Sequence, residues 1–362
     1  MSTAVTLHRD AQGPAVRVQA SPIAVHADPD PGRWNAYVSR HPEASAYHLY
    51  GWRNVIARAF GHETRYLTAE VATGVAGVLP LVVFRSRLFG RFVVSMPFLN
   101  YGGVLADSPK VEAALLEAAI AETTRAGGSH LELRHTRQLF PQLQAKRHKV
   151  AMVMALQPSV EEQWNALDRK LRNQVRKAEK SCLRVVRGGA ELLDDFYTVF
   201  ARNMRDLGTP VYGARWFREV LAAFPDTTRL FVVYSGTRAV AASLVHWRGA
   251  TMEVPWASAL REFNPLCPNV LLYWDMVKFG IEQGFSHFDL GRSTPDEGTY
   301  HFKRQWAAEP VELVWEYWTP AGHPLPDLSP KNPKFDRAIA AWRRLPVRLT
   351  TLLGPRIVRN IP

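Results

Sequence analysis

Apolar positions along this chain follow helix and strand spacings in an order that occurs twice. Tyr47, Trp52, Val55, Ile56 and Phe60 form one side of a helix over 45–60, which Gly61 ends. Strand-like runs follow at Arg65–Val71, Gly74–Phe84 and Phe92–Ser95, the first two joined by a turn at Thr73-Gly74. A loop from Pro97 to Pro109 leads into a helix over Lys110–Arg125 and a strand at Ser129–Arg134. Farther on, Ser159 with Glu162 makes a capping box that opens a long helix to about Lys180. Its buried stripe is Trp164, Leu167, Leu171, Val175 and Ala178. A second helix over Ala190–Asp206 ends at Gly208. Strands are then expected at Arg229–Tyr234, Ala239–Trp247 and Thr251–Ala257, and a helix to Gln283 with Asn269 as N-cap. Strands at Ser286–Leu290 and Val311–Trp318 complete the pattern. Residues 1–20 show no periodicity, and prolines dominate from Thr319.

The two strands that return after a helix carry nearly the same sequence. Ser129-His130-Leu131-Glu132-Leu133 and Ser286-His287-Phe288-Asp289-Leu290 lie 157 residues apart, each after a glycine stop, Gly127-Gly128 and Gly284. A helix, a glycine stop and a short alternating strand in both places point to a duplicated α/β unit. The chain length suits two domains. The expected division is 21–150, 151–320 and a basic tail over 321–362. Duplicated units pack side by side and leave a cleft between them. Here the junction is expected to bring the segment Asp289–Lys303 against the arginine-rich helix that follows Ser159.

Composition narrows the class. Hydrophobic content of 47% with 22% charged residues is ordinary for a globular chain. Two cysteines, Cys182 and Cys267, give no disulfide framework and suit a reducing compartment. The N-terminus has no apolar leader, and the richest apolar run, Val75–Phe84, is broken by Pro80, so a cytoplasmic protein is expected. The net charge of +12 is concentrated in two places. Asp168–Arg187 holds eight Lys/Arg against two acids, and Lys331–Pro362 eight against one. Localised patches point to specific anionic partners, such as a phosphate group, an RNA end or a lipid surface.

Two clusters can carry chemistry. Asp289, Arg292, Ser293, Asp296, Glu297, Tyr300, His301, Lys303 and Arg304 crowd just past the carboxyl end of a strand, where open α/β sheets bind ligands. Arg169, Arg172 and Arg176 share one face of the long helix, flanked by Lys170, Asn173 and Lys177. These six make a candidate phosphate clamp, because guanidinium forks grip phosphate oxygens in pairs. A solvated loop and a solvated helical face are the plain alternatives. No Walker loop, strand–Gly-x-Gly-x-x-Gly–helix turn, His-Glu-x-x-His, paired Cys-x-x-Cys or Gly-x-Ser-x-Gly occurs. No metal site is expected.

Several motifs are shared with a known family. They are Tyr47-His48 through Trp52, Phe60-Gly61-His62, Met96-Pro97 through Tyr101-Gly102-Gly103, Lys170 through Lys180, and Asn203-Met204-Arg205-Asp206-Leu207-Gly208-Thr209-Pro210. Phe288 through Ser293, Gly298-Thr299-Tyr300 and Phe302-Lys303 join them. Together they resemble the FemAB-like proteins of the acyltransferase superfamily, in particular those associated with bacterial exosortase (PEP-CTERM) and exopolysaccharide systems. The resemblance implies an α/β fold of two tandem acyl-CoA N-acyltransferase (GNAT)-like domains, each a mixed, mostly antiparallel sheet flanked by helices. It implies an acyl- or aminoacyltransferase acting on an amine or hydroxyl of a phosphate-bearing cell-envelope or exopolysaccharide precursor. FemAB relatives pass aminoacyl groups from aminoacyl-tRNA to the peptide amine of a peptidoglycan precursor.

On this reading Lys303 or Arg292 stabilises a tetrahedral oxyanion, Asp289 orients or deprotonates the nucleophile, and Tyr300 returns a proton to the leaving group. Tyr101, Asn203, Arg205 and Ser293 join the substrate contacts. Two departures leave the donor open between acyl-CoA and aminoacyl-tRNA. No sustained heptads mark the coiled-coil insertion of the family, and Leu266-Cys267-Pro268 stands where the superfamily's coenzyme A loop would lie. The rival reading is a non-catalytic scaffold of a polysaccharide assembly. In the tail, Leu345, Val347, Leu349, Leu352, Leu353, Ile357, Val358 and Ile361 interleave with Arg343, Arg344, Arg348, Arg356 and Arg359. That pattern suits either peripheral contact with an anionic membrane or docking on the protein's own core.

Overall fold

Caps and breakers written into the sequence set most element boundaries. The structure is a computed structural model and describes residues 22–86, 89–321 and 336–362. The aperiodic residues 1–20 and the proline-rich stretch over 322–335 lie outside the described residues. The first half runs β1 (Ala24–Ala27), α1 (Pro31–Arg40), α2 (Gly51–Phe60), β2 (Glu63–Val71), β3 (Gly74–Ser86) and β4 (Gly90–Ser95). It continues with β5 (Leu105–Ala106), α3 (Pro109–Arg125), β6 (Leu131–His135) and β7 (Gln144–Ala155). α2 stops where Gly61 takes the left-handed conformation (φ 70°), and α3 starts where the Ser108 hydroxyl accepts from Val111 N ahead of Pro109.

The second half runs α4 (Val160–Ala166), α5 (Arg169–Lys180), β8 (Leu183–Gly188), α6 (Leu193–Leu207), α7 (Ala214–Ala223), β9 (Thr228–Ser235) and β10 (Arg238–Arg248). After these come β11 (Thr251–Ala259), α8 (Pro268–Glu282), β12 (His287–Ser293), α9 (Gly298–Arg304) and β13 (Glu309–Trp318), then α10 (Asp336–Arg344) and α11 (Val347–Val358). The single long helix expected after Ser159 is two helices. Asp168 interrupts it, its carboxylate accepting from Leu171 N at 2.6 Å to cap α5. The polar run after Leu290 is likewise no loop but the end of β12 followed by α9. The N-cap of α8 is Cys267, not Asn269. The sequence pattern does not foresee β1, α1, β7, β8 or α7.

The duplication is visible in the sheet. β2-β3-β4 and β9-β10-β11 are antiparallel meanders, and β6 and β12 return parallel to β4 and β11. All the strands join one 13-stranded sheet ordered β1-β2-β3-β4-β6-β13-β7-β12-β11-β10-β9-β8, with β5 paired to β3. The halves exchange strands at its centre. β13 pairs with β6 of the first half, and β7, which closes the first half, pairs with β12. The division expected between residues 150 and 151 falls inside β7.

Strand alternation then sorts the side chains into an outer and an inner face. On the outer face Leu115 and Leu116 of α3 meet Val93, Leu131 and Leu133. There, too, Leu171 and Val175 of α5 and Met276 and Val277 of α8 cover Met252, Val254, Phe288 and Leu290. On the inner face α1, α2, α6 and α7 share one core that bridges the halves. Trp216 packs there with its ring 5.8 Å from Trp52 and 5.0 Å from Phe60. Burial of each such side chain contributes about 1.5–3 kcal/mol, so aromatic packing reinforces the exchanged strands.

The tail docks on α6. Arg205 Nη1 donates to Leu345 O (3.0 Å), Arg343 Nη2 donates to Leu207 O (3.2 Å), and His62 Nε2 lies 2.7 Å from Arg359 O. Val358 enters the inner core. Leu349 and Leu352 still face outward beside exposed Arg348 and Arg356. Among the described residues no helix is long and apolar enough to cross a membrane.

Because the halves interlock through β7 and β13, a chain cut between them should fold only as a pair. Co-expressed fragments 1–157 and 158–362 are expected to co-purify, and each alone to aggregate through its open sheet edge. Two separately folded fragments by gel filtration and circular dichroism would contradict the exchange.

Candidate active site

The distinctive feature of the second half is the point where two parallel strands separate. β11 and β12 pair only at Thr251–His287, Met252–Phe288 and Glu253–Asp289. Glu253 and Asp289 therefore sit side by side at the last paired position. Both point to the inner face, opposite the residues under α8. Gly291 makes the bend: its φ is +80°, and a Cβ there would lie 2.8 Å from Val254 O. The β12–β7 register slips at the same place, between Asp289 and Arg292.

Both carboxylates are buried, Glu253 2% and Asp289 1% exposed. Asp289 Oδ1 accepts from Gly291 N (2.7 Å) and Oδ2 from the Tyr101 hydroxyl (3.0 Å). Tyr101 comes from the first half, and its ring meets Tyr47 edge-on at 5.1 Å. Among the described residues Glu253 Oε2 and the buried Tyr47 Oη have no hydrogen bond of good geometry, although the Tyr47 and Tyr101 hydroxyls and the Ala46 backbone lie near enough to pull the Glu253 carboxyl downward. Burial, and then the charge of Asp289, push the Glu253 carboxyl up to about 8. Burial also raises Asp289, against the pull of the Gly291 N–H, Lys303 and Tyr101. Two ionised carboxylates side by side repel, so the pair titrates as a unit.

Lys303 of α9 lies near Asp289, whose charge acts on it, and is 7% exposed. Its Nζ donates to Gly291 O (2.9 Å) and Arg292 O (3.0 Å), bracing the bend. Burial lowers it to about 8, with Asp289 pulling upward and Arg292 adding to the fall. An ammonium has three donors, which leaves one for a ligand oxygen.

In the first half the corresponding position is neutralised. β4 and β6 pair in parallel with Val94 beside Glu132, so valine occupies the Glu253 position and Glu132 the Asp289 position. Gly291 is matched by Arg134, whose Nε donates to Glu132 Oε1 at 2.7 Å and Nη1 to Leu99 O at 3.0 Å. Both partners are buried, and each cancels the other's charge. His135 and Glu316 form a second buried pair at 2.7 Å, with Glu316 also accepting from Leu139 N and Phe140 N.

The expected site residues divide between these surroundings and other places. Asp289, Lys303 and Tyr101 meet at the strand divergence. Arg292 lies just beyond it with part of its side chain exposed and its guanidinium 5.3 Å over the Trp315 ring, where burial and then Arg134 lower it to about 10. Ser293 is buried with no hydrogen bond from its hydroxyl. Tyr300 packs against the outer-face core and makes no hydrogen bond, so it does not reach Asp289. Asn203 donates to Ser258 Oγ at 3.0 Å, and Arg205 holds the tail. The expected meeting of Asp289 with the cations of the arginine-rich helix does not occur, although the apolar side of that helix shares a core with Leu290, Tyr300 and Phe302. α5 lies on the outer face, where Lys170, Asn173 and Lys177, with Arg169 and Gln174, line a shallow groove. Arg172 is half-buried there, and Arg176 stacks 5.3 Å over Trp164. Sequence reading missed Glu253, whose alternation with Met252 and Val254 is that of a solvent-facing strand position.

The loop ahead of α8 suits the diphosphate of coenzyme A poorly. Pro265 and Pro268 lack N–H groups, and the N–H groups of Cys267 and Val270 already donate to Asn264 O and Cys267 O. A family model for the acetyltransferase (GNAT) domain matches residues 167–304. The second half carries a GNAT-type domain. The whole fold is similar to FemX, with TM-score 0.66 and 15% identity over 81% of this chain and 96% of that one. It is similar also to a tandem GNAT protein from the clavulanic acid biosynthesis pathway (0.52; 12% identity; 84% and 100% covered). A third likeness is to a C-terminal domain described as that of a lysylphosphatidylglycerol synthetase from Agrobacterium fabrum (0.53; 10% identity; 79% and 90% covered). At these identities the likeness is one of fold, a mixed α/β sheet of two GNAT-like units. No curated protein matches by sequence.

A carboxyl whose pKa rises on folding binds its proton more tightly in the folded state. Its stabilising contribution is full below its ordinary value of 4.5 and is lost as pH rises through about 8. Glu253→Gln removes that titration while keeping the shape. The variant is expected to melt roughly 3 °C or more above the native chain at pH 8.5 and level with it at pH 4. Identical melting curves at both pH values would refute the strained pair.

Proposed function

We propose that the chain transfers an acyl or aminoacyl group from an activated ester to an amine or hydroxyl of a cell-envelope or exopolysaccharide precursor. The observation that carries this reading is the buried Glu253–Asp289 pair beside Lys303, set at the strand divergence of a GNAT-type domain. The attacking N–H or O–H gives its proton to the pair as its lone pair adds to the donor's carbonyl carbon. The resulting oxyanion is met by the free N–H of Lys303, a contact typically worth about 3–4 kcal/mol in the transition state. Collapse breaks the bond to the leaving group, which takes the proton back from the pair. Tyr101, hydrogen-bonded to Asp289, relays that proton by giving its own to the leaving group as it takes one from Asp289, in place of the role first assigned to Tyr300.

The fold shared with FemX and a tandem GNAT protein supports a scaffold of this kind, and the acceptor class rests on the motif resemblance. The exosortase and exopolysaccharide setting is part of the proposal on that same ground. The poor fit of the loop before α8 to a diphosphate weighs against acyl-CoA. Arg169, Lys170, Arg172, Arg176 and Lys177 on α5 are arranged to meet a phosphodiester chain, as in an aminoacyl-tRNA donor. The same poor fit is what favours the scaffold reading, in which nothing is transferred.

Activity requires the pair to accept a proton and Lys303 to keep its own. kcat/KM is therefore expected to rise as pH approaches 8 and to fall above it, because Glu253 and Lys303 both titrate at about 8. Lys303→Arg should extend activity to higher pH. Glu253→Gln and Lys303→Met should each lower kcat by about 10²–10³ with circular dichroism unchanged. Labelled aminoacyl-tRNA and acyl-CoA, each offered with envelope-precursor acceptors, supply the assay. Undiminished turnover in both variants would refute the mechanism, and no transfer from any donor would leave the scaffold.

A further inference from the structure

On the inner face, beside Asp289 and toward the first half, cations gather on two aromatic rings. β13 presents Trp315 and Tyr317 at positions opposite Arg134 and Glu132 of β6. Arg292 sets its guanidinium 5.3 Å over Trp315, and Lys146 of β7 its ammonium 4.9 Å over Tyr317. The His148 imidazole meets Trp315 edge-on at 5.3 Å. Among the described residues none of these three side chains forms an ion pair with an acid, although the charge of Glu132 acts on Arg292 and His148. The nearby acids are engaged elsewhere: Glu132 with Arg134, Glu312 with Arg147, and Glu316 with His135. Arg292 and His148 have exposed surface and Lys146 is half-buried, while burial and then the charge of Arg134 lower the Arg292 guanidinium to about 10, so a solute meets it at the edge of a partly desolvated site.

Like charges held together on a surface cost free energy that a bound anion offsets. We propose that Arg292, Lys146 and His148 form a binding site for a phosphate group of the acceptor, on the sheet floor where the two halves exchange strands. The proposal rests on the transferase reading and deepens it. Arg292 follows Asp289 by three residues, at most about 10 Å of extended strand. The phosphate would thus sit about one sugar ring away from the attacking amine or hydroxyl. A guanidinium fork takes two oxygens at once, and an ammonium and an imidazolium serve the rest, which suits a dianion with three oxygens better than a carboxylate with two. This site is separate from α5, which lies across the sheet on the outer face.

His148 supplies a local reporter. Partial burial and the charges of Lys149, Lys146 and Arg292 hold it below its ordinary pKa, with Glu132 opposing. A bound phosphate reverses that balance. Full-length protein labelled at histidine nitrogen, with the signal assigned by His148→Gln, is titrated at low ionic strength with and without inorganic pyrophosphate, inorganic phosphate or acetate. Pyrophosphate and phosphate are expected to raise the His148 pKa by about one unit, and acetate to leave it in place. The double variant Lys146→Met/Arg292→Met should lose the shift while its other histidine signals stay put. Glu253→Gln should keep it, which separates failure of this site from failure of the transfer reaction. No movement of His148 with either phosphate probe overturns the proposal, as does a shift that survives the double variant or an equal response to acetate.

Discussion

Everything in the second half's site depends on two carboxylates being held next to each other out of water. Strand pairing alone places Glu253 beside Asp289, but pairing does not keep them dry. That is done by Tyr47 and Tyr101 of the first half and by the aromatic core that ties α2 to α7. An isolated buried carboxylate without full hydrogen bonding costs about 1–3 kcal/mol or more. The pair is sustained because the surrounding packing over-determines it. Lys303 braces the bend by gripping two carbonyl oxygens rather than by bonding a carboxylate directly. The cation is thus close enough to bias the pair and free enough to meet a developing negative charge.

The duplication shows how little sequence change separates an unneutralised carboxylate pair from an internally paired one. Both halves bring a carboxylate to the last paired residue of a parallel strand. In the first half its neighbour across the ladder is Val94, and the residue two places on is Arg134. In the second these are Glu253 and Gly291. Arginine consumes the charge internally and fills the space with its own side chain. Glycine leaves room and supplies only a backbone N–H. The first half then serves as a wall, lending the Tyr101 hydroxyl to Asp289.

The repeat, the meanders and the returning strands were legible because they rest on local periodicity and on a five-residue echo. Asp289 and Lys303 were legible for the same reason, lying in one crowded segment. Glu253 was not, because its burial comes from residues about 200 positions earlier in the chain, and local alternation reads it as solvent-facing. The side of the sheet on which α5 packs was hidden for a like reason. An amphipathic stripe says that a helix is covered, not which layer covers it. Asp168 is a nearer miss: an Asp three residues before Leu171 is an ordinary capping signal, outweighed here by the continuous apolar stripe. Arg205, grouped with the substrate contacts, binds a tail whose position no local pattern foretells.

The exchange of β7 and β13 forms the centre of the sheet. Were each half to keep its own last strand, β7 would lie beside β6 and β13 beside β12. Crossing them puts Lys146 and His148, which follow the neutralised carboxylate of the first half in sequence, on the strand next to Asp289's own. It also sets Trp315 between Arg134 of one half and Arg292 of the other. The two halves therefore do not rest in contact as separate copies. The charge that surrounds the buried carboxylate pair is assembled from both, and strand exchange is the physical means by which the first half adds to the surroundings of that pair.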